Sequence, residues 1–117
     1  MTQFLAVEYG DAIDGLQLFE FKTDWNNPAA STFTERADSP IVTAPFSPNV
    51  PLLPQPGTAQ GLEPMSDRLM YRLQYRNFTN FESLVISHTV DGGSTLAGVR
   101  YYQLKRNFSG GSTNWFV

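Results

Sequence analysis

The chain of 117 residues has the length of one domain, and folding a chain of that size removes roughly two thirds of its unfolded surface from water. Eight basic residues against eleven acidic ones leave a net charge of −3, so no cationic field gathers nucleic acid or an anionic membrane surface. Cysteine is absent, which excludes disulfides, thiolate nucleophiles and thiolate metal ligands and leaves the redox compartment unreadable. No apolar run approaches the roughly 20 residues that cross a bilayer, and no basic stretch followed by a long apolar segment opens the chain. A soluble protein without a signal peptide, a membrane partner or a cofactor is expected.

In chain order, residues 3–9 read as a short strand, closed by Gly10-Asp11 and reopened after Asp14-Gly15, a dipeptide suited to tight hairpin turns. The second arm, residues 16–24, carries Leu16, Leu18, Phe19 and Phe21 on both faces, as a strand covered on either side does. Trp25-Asn26-Asn27-Pro28 ends it. Residues 31–42 predict a further strand, polar through Glu35, Arg36 and Asp38 and short of a donor at Pro40, which places it at an edge. Residues 43–65 hold six prolines, from Pro45 to Pro64, so neither helix nor central strand persists there. The apolar Phe46, Val50, Leu52, Leu53 and Leu62 argue that this connection lies against the protein.

From residue 68 to residue 106 a period of two dominates. Leu69, Tyr71, Leu73 and Tyr75 alternate with Met70, Arg72, Gln74 and Arg76; Leu84, Ile86, His88 and Val90 alternate with Ser83, Val85, Ser87 and Thr89; Val99, Tyr101, Gln103 and Lys105 alternate with Arg100, Tyr102, Leu104 and Arg106. These are three strands in immediate succession, joined by short turns such as Asp91-Gly92-Gly93-Ser94, and Asn114-Trp115-Phe116-Val117 adds an apolar fourth. The expected fold is all-β, with antiparallel four-stranded meanders of the kind that form β-propeller blades. Residues 1–46 make an incomplete first blade of three strands, 47–65 a proline-rich connection and 66–117 a second blade of four. A seven-stranded β-sandwich fits the same strand count.

The stretch 54–58 (PQPGT), with Ser66-Asp67-Arg68-Leu69-Met70-Tyr71-Arg72-Leu73, Tyr75-Arg76-Asn77-Phe78, Glu82-Ser83-Leu84-Val85, His88-Thr89-Val90-Asp91 and Ala97-Gly98-Val99-Arg100, resembles a segment of uncharacterised bacterial β-propeller-like repeat proteins. The likeness covers 54–106 closely and 4–46 more loosely. It implies a propeller fragment of about two blades, from a parent family of bacterial, extracellular or cell-surface proteins. The chain departs from the family in lacking the cysteine pair that the proline connection commonly holds and the further blades that come after it.

Two blades do not close a ring, which takes about four to eight. The expected function is therefore non-enzymatic: copies of the chain self-associate into a closed propeller, with Leu69, Tyr71, Leu73, Leu84, Ile86, Trp115, Phe116 and Val117 at the interface. The abrupt apolar ending at Trp115-Phe116-Val117 leads to the same expectation of pairing with a neighbouring strand. The alternative is a lectin-like carbohydrate-binding module, with Arg100, Tyr101, Tyr102 and His88 as ligand-binding candidates. A glycosidase or sialidase remnant ranks below both, because Asp67, Glu82 and Asp91 at strand ends suit ion pairing and turn capping better than acid–base work. His88, the single histidine, suits a half-buried hydrogen-bonded position better than a metal site.

Overall fold

The computed structural model describes residues 2–8, 14–109 and 113–117. The fold is all-β; among the described residues the one helical element is a three-residue 3-10 turn at Pro28–Ala30. In the first sheet β2 (Gly15–Lys22) is central, with β1 (Thr2–Glu8) antiparallel on one edge. The other edge is shared by β3 (Thr32–Glu35) and the two-residue β4 (Ile41–Val42). The expected Gly10-Asp11 turn lies outside the described residues. The second sheet has the order β5 (Gln74–Asn77), β6 (Phe81–Asp91), β7 (Ala97–Asn107), all antiparallel neighbours.

The expected strand over 31–42 is two strands. Between the pairs Phe19↔Glu35 and Leu16↔Ile41, residues 36–40 loop away from β2. The loop nevertheless satisfies the strand it leaves: Arg36 N–H donates to the Leu18 carbonyl at 2.9 Å, and Leu18 N–H donates to Ser39 Oγ at 3.0 Å. A continuous edge strand would set Arg36 and Asp38 opposite Leu18 and Leu16, on the core face; in the loop they pair with each other instead.

The expected strand over 68–78 is also interrupted. Leu69 bridges His88 and Gln74 pairs with Val85, so four residues, 70–73, stand opposite two. An even surplus keeps the side-chain alternation in phase across the bulge. Leu69 and Leu73 accordingly pack on the core, while Tyr71, at the bulge, is 92% exposed. The proline connection divides as well. Phe46 and Val50 are half-buried, but Leu52 and Leu62 are exposed, because residues 51–63 fold back on themselves through the Leu53↔Leu62 bridge. The expectation that all of its apolar residues lie against the protein is corrected for Leu52 and Leu62, while Leu53 is half-buried.

One core serves both sheets. Leu16, Leu18 and Ile41 of the first sheet and Leu84, Ile86, Tyr102 and Leu104 of the second form a single cluster with Trp115. Full burial of a Leu or Ile side chain is worth roughly 1.5–3 kcal/mol, so these facing rows hold the sheets together. Beyond β7 the chain returns across both sheets: Phe116 exchanges backbone hydrogen bonds with Lys105 at 2.8 and 3.0 Å, and Trp115 N–H donates to Asp38 Oδ2 at 2.7 Å.

Candidate functional site

Of the four ligand-binding candidates, three converge and one does not. His88, Arg100 and Tyr102 share the inner face of the second sheet, with His88 directly opposite Arg100 in the β6–β7 ladder. Tyr101 stands on the outer face, 74% exposed, as the two-residue period requires. His88 is fully buried. Its Nε2 lies 2.9 Å from Tyr102 Oη, its ring meets Phe46 edge-on at 4.8 Å, and it stacks on Tyr102 at 5.5 Å. The Arg100 guanidinium covers Phe46 and Tyr102 at 5.7 and 5.5 Å and donates to the Pro45 carbonyl at 2.8 Å. This assembly pins the start of the proline connection to the sheet and engages all three side chains in contacts within the chain. Burial holds the His88 pKa below its ordinary value, and the Arg100 charge pushes it the same way. Among the described residues its Nδ1 finds no hydrogen-bond partner, so burial and the Arg100 charge together oppose protonation.

The carboxylates singled out for acid–base chemistry are engaged. Glu82, 8% exposed, takes the Arg106 guanidinium across the β6–β7 ladder, with Arg106 Nε at 2.7 Å, and accepts from Tyr75 Oη at 2.9 Å. Asp67 pairs with Arg68 at the surface at 2.9 Å. Asp91 accepts the Gly93 N–H at 2.8 Å, capping a turn in which Gly93 has φ of +79°, a region where side chains are strained. Arg36 binds Asp38 at 2.7 Å and also Glu20, and it donates to the Thr113 carbonyl at 3.0 Å. Burial alone would raise the Glu20 and Asp38 carboxyls, but hydrogen bonds from Arg36 outweigh it, joined by Lys22 at Glu20 and by the Trp115 N–H at Asp38, and both are lowered. Among the described residues no three His, Cys, Asp or Glu side chains gather into a possible metal site.

The eight expected interface residues divide by burial. Leu84, Ile86 and Trp115 are 0, 5 and 4% exposed. Their placement on an open face is corrected: each faces the opposing sheet of its own chain. Leu69 and Leu73 are partly buried against the same core, whereas Tyr71, Phe116 and Val117 are exposed.

Two other features remain open. The first is an edge. Because Lys105 exchanges both its backbone bonds with Phe116, residues at the same parity on unbroken β7 direct their N–H and C=O away from β6. Val99, Tyr101 and Gln103 thus present a row of backbone donors and acceptors to which no bond is made by the described residues. Exposed Leu96, Val99 and Tyr101 side chains, at 64, 79 and 74%, flank this row. The second is a cleft of about 290 Å³ on the outer face of the same sheet, lined by Gln74, Arg76, Phe78, Val85 and Gln103 around Ser83, with Tyr75 at one side. The strand period marked Val99, Tyr101 and Gln103 as sharing a face. That their backbone is unpaired emerges only from the position of Phe116, a long-range contact. No family model, curated protein or solved structure matches the chain.

Proposed function

We propose that the chain is a non-enzymatic all-β module, built of blade-like meanders, that works by associating with copies of itself. The observation that carries this reading is the open edge of β7. An unpaired edge flanked by exposed apolar side chains is a template for another strand, and Val99, Tyr101 and Gln103 offer their backbone in the same direction as the Lys105–Phe116 pairing. The second sheet supports the blade description: the interrupted strand of Leu69 and β5, then β6, β7 and the segment at Phe116 succeed one another as antiparallel neighbours. The inner faces are covered within the chain, so the open edge of β7, instead of the core, is the surface through which copies meet. A second copy suits the edge because antiparallel pairing about Tyr101 is self-complementary: Tyr101 faces its own copy and Val99 faces the copy of Gln103.

The test is the mass in solution of wild type and Tyr101→Pro, by size exclusion with light scattering. Proline at this position removes a donor directed at the free edge and leaves the bonds to β6 in place. A concentration-dependent oligomer in wild type, lost in the variant with far-UV circular dichroism unchanged, is the expected result. A wild type that stays monomeric at high micromolar concentration refutes the reading.

A further inference from the structure

The outer-face cleft has a chemistry that self-association does not use. From the arrangement of its lining we infer that it binds the ring of an acidic saccharide, a sugar carrying a carboxylate. Its volume of about 290 Å³ lies at the lower end of the range for small-molecule sites, which suits one ring. Arg76 supplies the cation. Among the described residues it has no carboxylate partner: the nearby Glu82 is taken by Arg106 and Tyr75. The Arg76 guanidinium lies over the Phe78 ring at 5.0 Å, a cation–π contact that holds it at the cleft, where its planar fork suits a bidentate contact with a carboxylate.

The remaining lining suits hydroxyl groups. Gln103 Nε2 donates to Ser83 Oγ at 3.0 Å, which fixes the amide so that its oxygen is left as an acceptor. Ser83 keeps its own hydroxyl hydrogen to donate. Ser83 is 4% exposed and forms the floor. Gln74 and Gln103 stand on either side of Val85, one on each neighbouring strand. Two carboxamides flanking an apolar patch match a sugar, whose hydroxyls lie around the rim of a C–H-rich face. A nucleobase is matched less well, because it needs a free aromatic face to stack on. Phe78 is already engaged, by the Arg76 guanidinium over its ring and by Phe81 stacked on it at 4.4 Å.

The experiment is an amide-resolved NMR titration of the intact chain with glucuronate, using glucose and acetate as matched probes. Glucuronate is expected to shift the Gln74, Arg76, Ser83 and Gln103 signals with millimolar affinity. Arg76→Gln, folded by circular dichroism, is expected to bind glucuronate about tenfold more weakly, the loss of one charge-assisted contact, and no better than glucose. Gln103→Ala is expected to weaken glucose and glucuronate alike. The inference is overturned if glucuronate leaves these signals unmoved, if acetate reproduces its effect, or if Arg76→Gln binds it as wild type does.

Discussion

Replacing Trp115 by Ala removes an indole that is 4% exposed from the place where the last segment crosses both sheets. A buried Trp takes roughly 150–250 Å² out of water, worth roughly 4–6 kcal/mol at about 25 cal/mol per Å², and core Trp→Ala changes cost about 3–5 kcal/mol. The Arg106 guanidinium over its ring at 5.1 Å loses its partner in the same variant. With a urea dependence of about 2 kcal/mol per molar for a chain of this size, the unfolding midpoint is expected to fall by about 2 M. The internal control is Trp25, 87% exposed: Trp25→Phe is expected to change stability by less than about 0.5 kcal/mol. In that background the remaining emission, from Trp115, is expected to be blue-shifted and shielded from iodide until the chain unfolds. A Trp115→Ala midpoint equal to wild type, or red-shifted and freely quenched Trp115 emission, would refute the claim that the chain covers its own inner faces.

Acidification provides a separate check, because the buried His88 has a lowered pKa in the folded chain. Between that value and the ordinary value near 6.5 the unfolded chain binds more protons, so the contribution is present above about pH 6.5 and lost as the pH falls from there. Urea midpoints at pH 7.5 and 5.5 are expected to show this loss in wild type and a smaller one in His88→Gln; equal slopes contradict it. The Glu20 and Asp38 carboxyls, lowered from 4.5 and 3.8, act in a different window. Their contribution is present above those ordinary values and lost as the pH falls through the folded ones. Asp38→Ala, which strips Arg36 and the Trp115 N–H of a partner whose side chain is 7% exposed, is expected to cost about 3–5 kcal/mol by chemical denaturation. Asp67→Asn, at a pair exposed on both sides, is expected to leave the melting temperature unchanged.

The fold was legible in the residues wherever the signal is local. The alternation in residues 82–90 and 98–106 predicts both faces of β6 and β7, and the structure places Leu84, Ile86 and His88 on one face and Val85 and Ser87 on the other. That signal works because the period of a strand is set by its backbone. It failed at Tyr71, where the bulge turns out a residue that alternation sets on one face with Leu69 and Leu73, and at 36–40, where an ion-pair network outcompeted the ladder. The partner of Glu82 was also out of reach: Arg72 and Arg76 are closer in sequence, but register brings Arg106 across the strand pair. The cleft had no motif to announce it. Gln74, Ser83 and Gln103 are ordinary polar strand residues whose meaning emerges only when three strands set them side by side.

Amide hydrogen exchange along β7, followed as the protein is concentrated, tests the association most directly. The Arg100, Tyr102 and Leu104 amides bond to β6 and are expected to be protected at every concentration. The Val99, Tyr101 and Gln103 amides are expected to exchange rapidly in dilute solution and to gain protection as the concentration rises, in step with the mass of the particle. Fast exchange of those three at all concentrations, or protection already complete in dilute monomer, would contradict an edge that waits for a second copy.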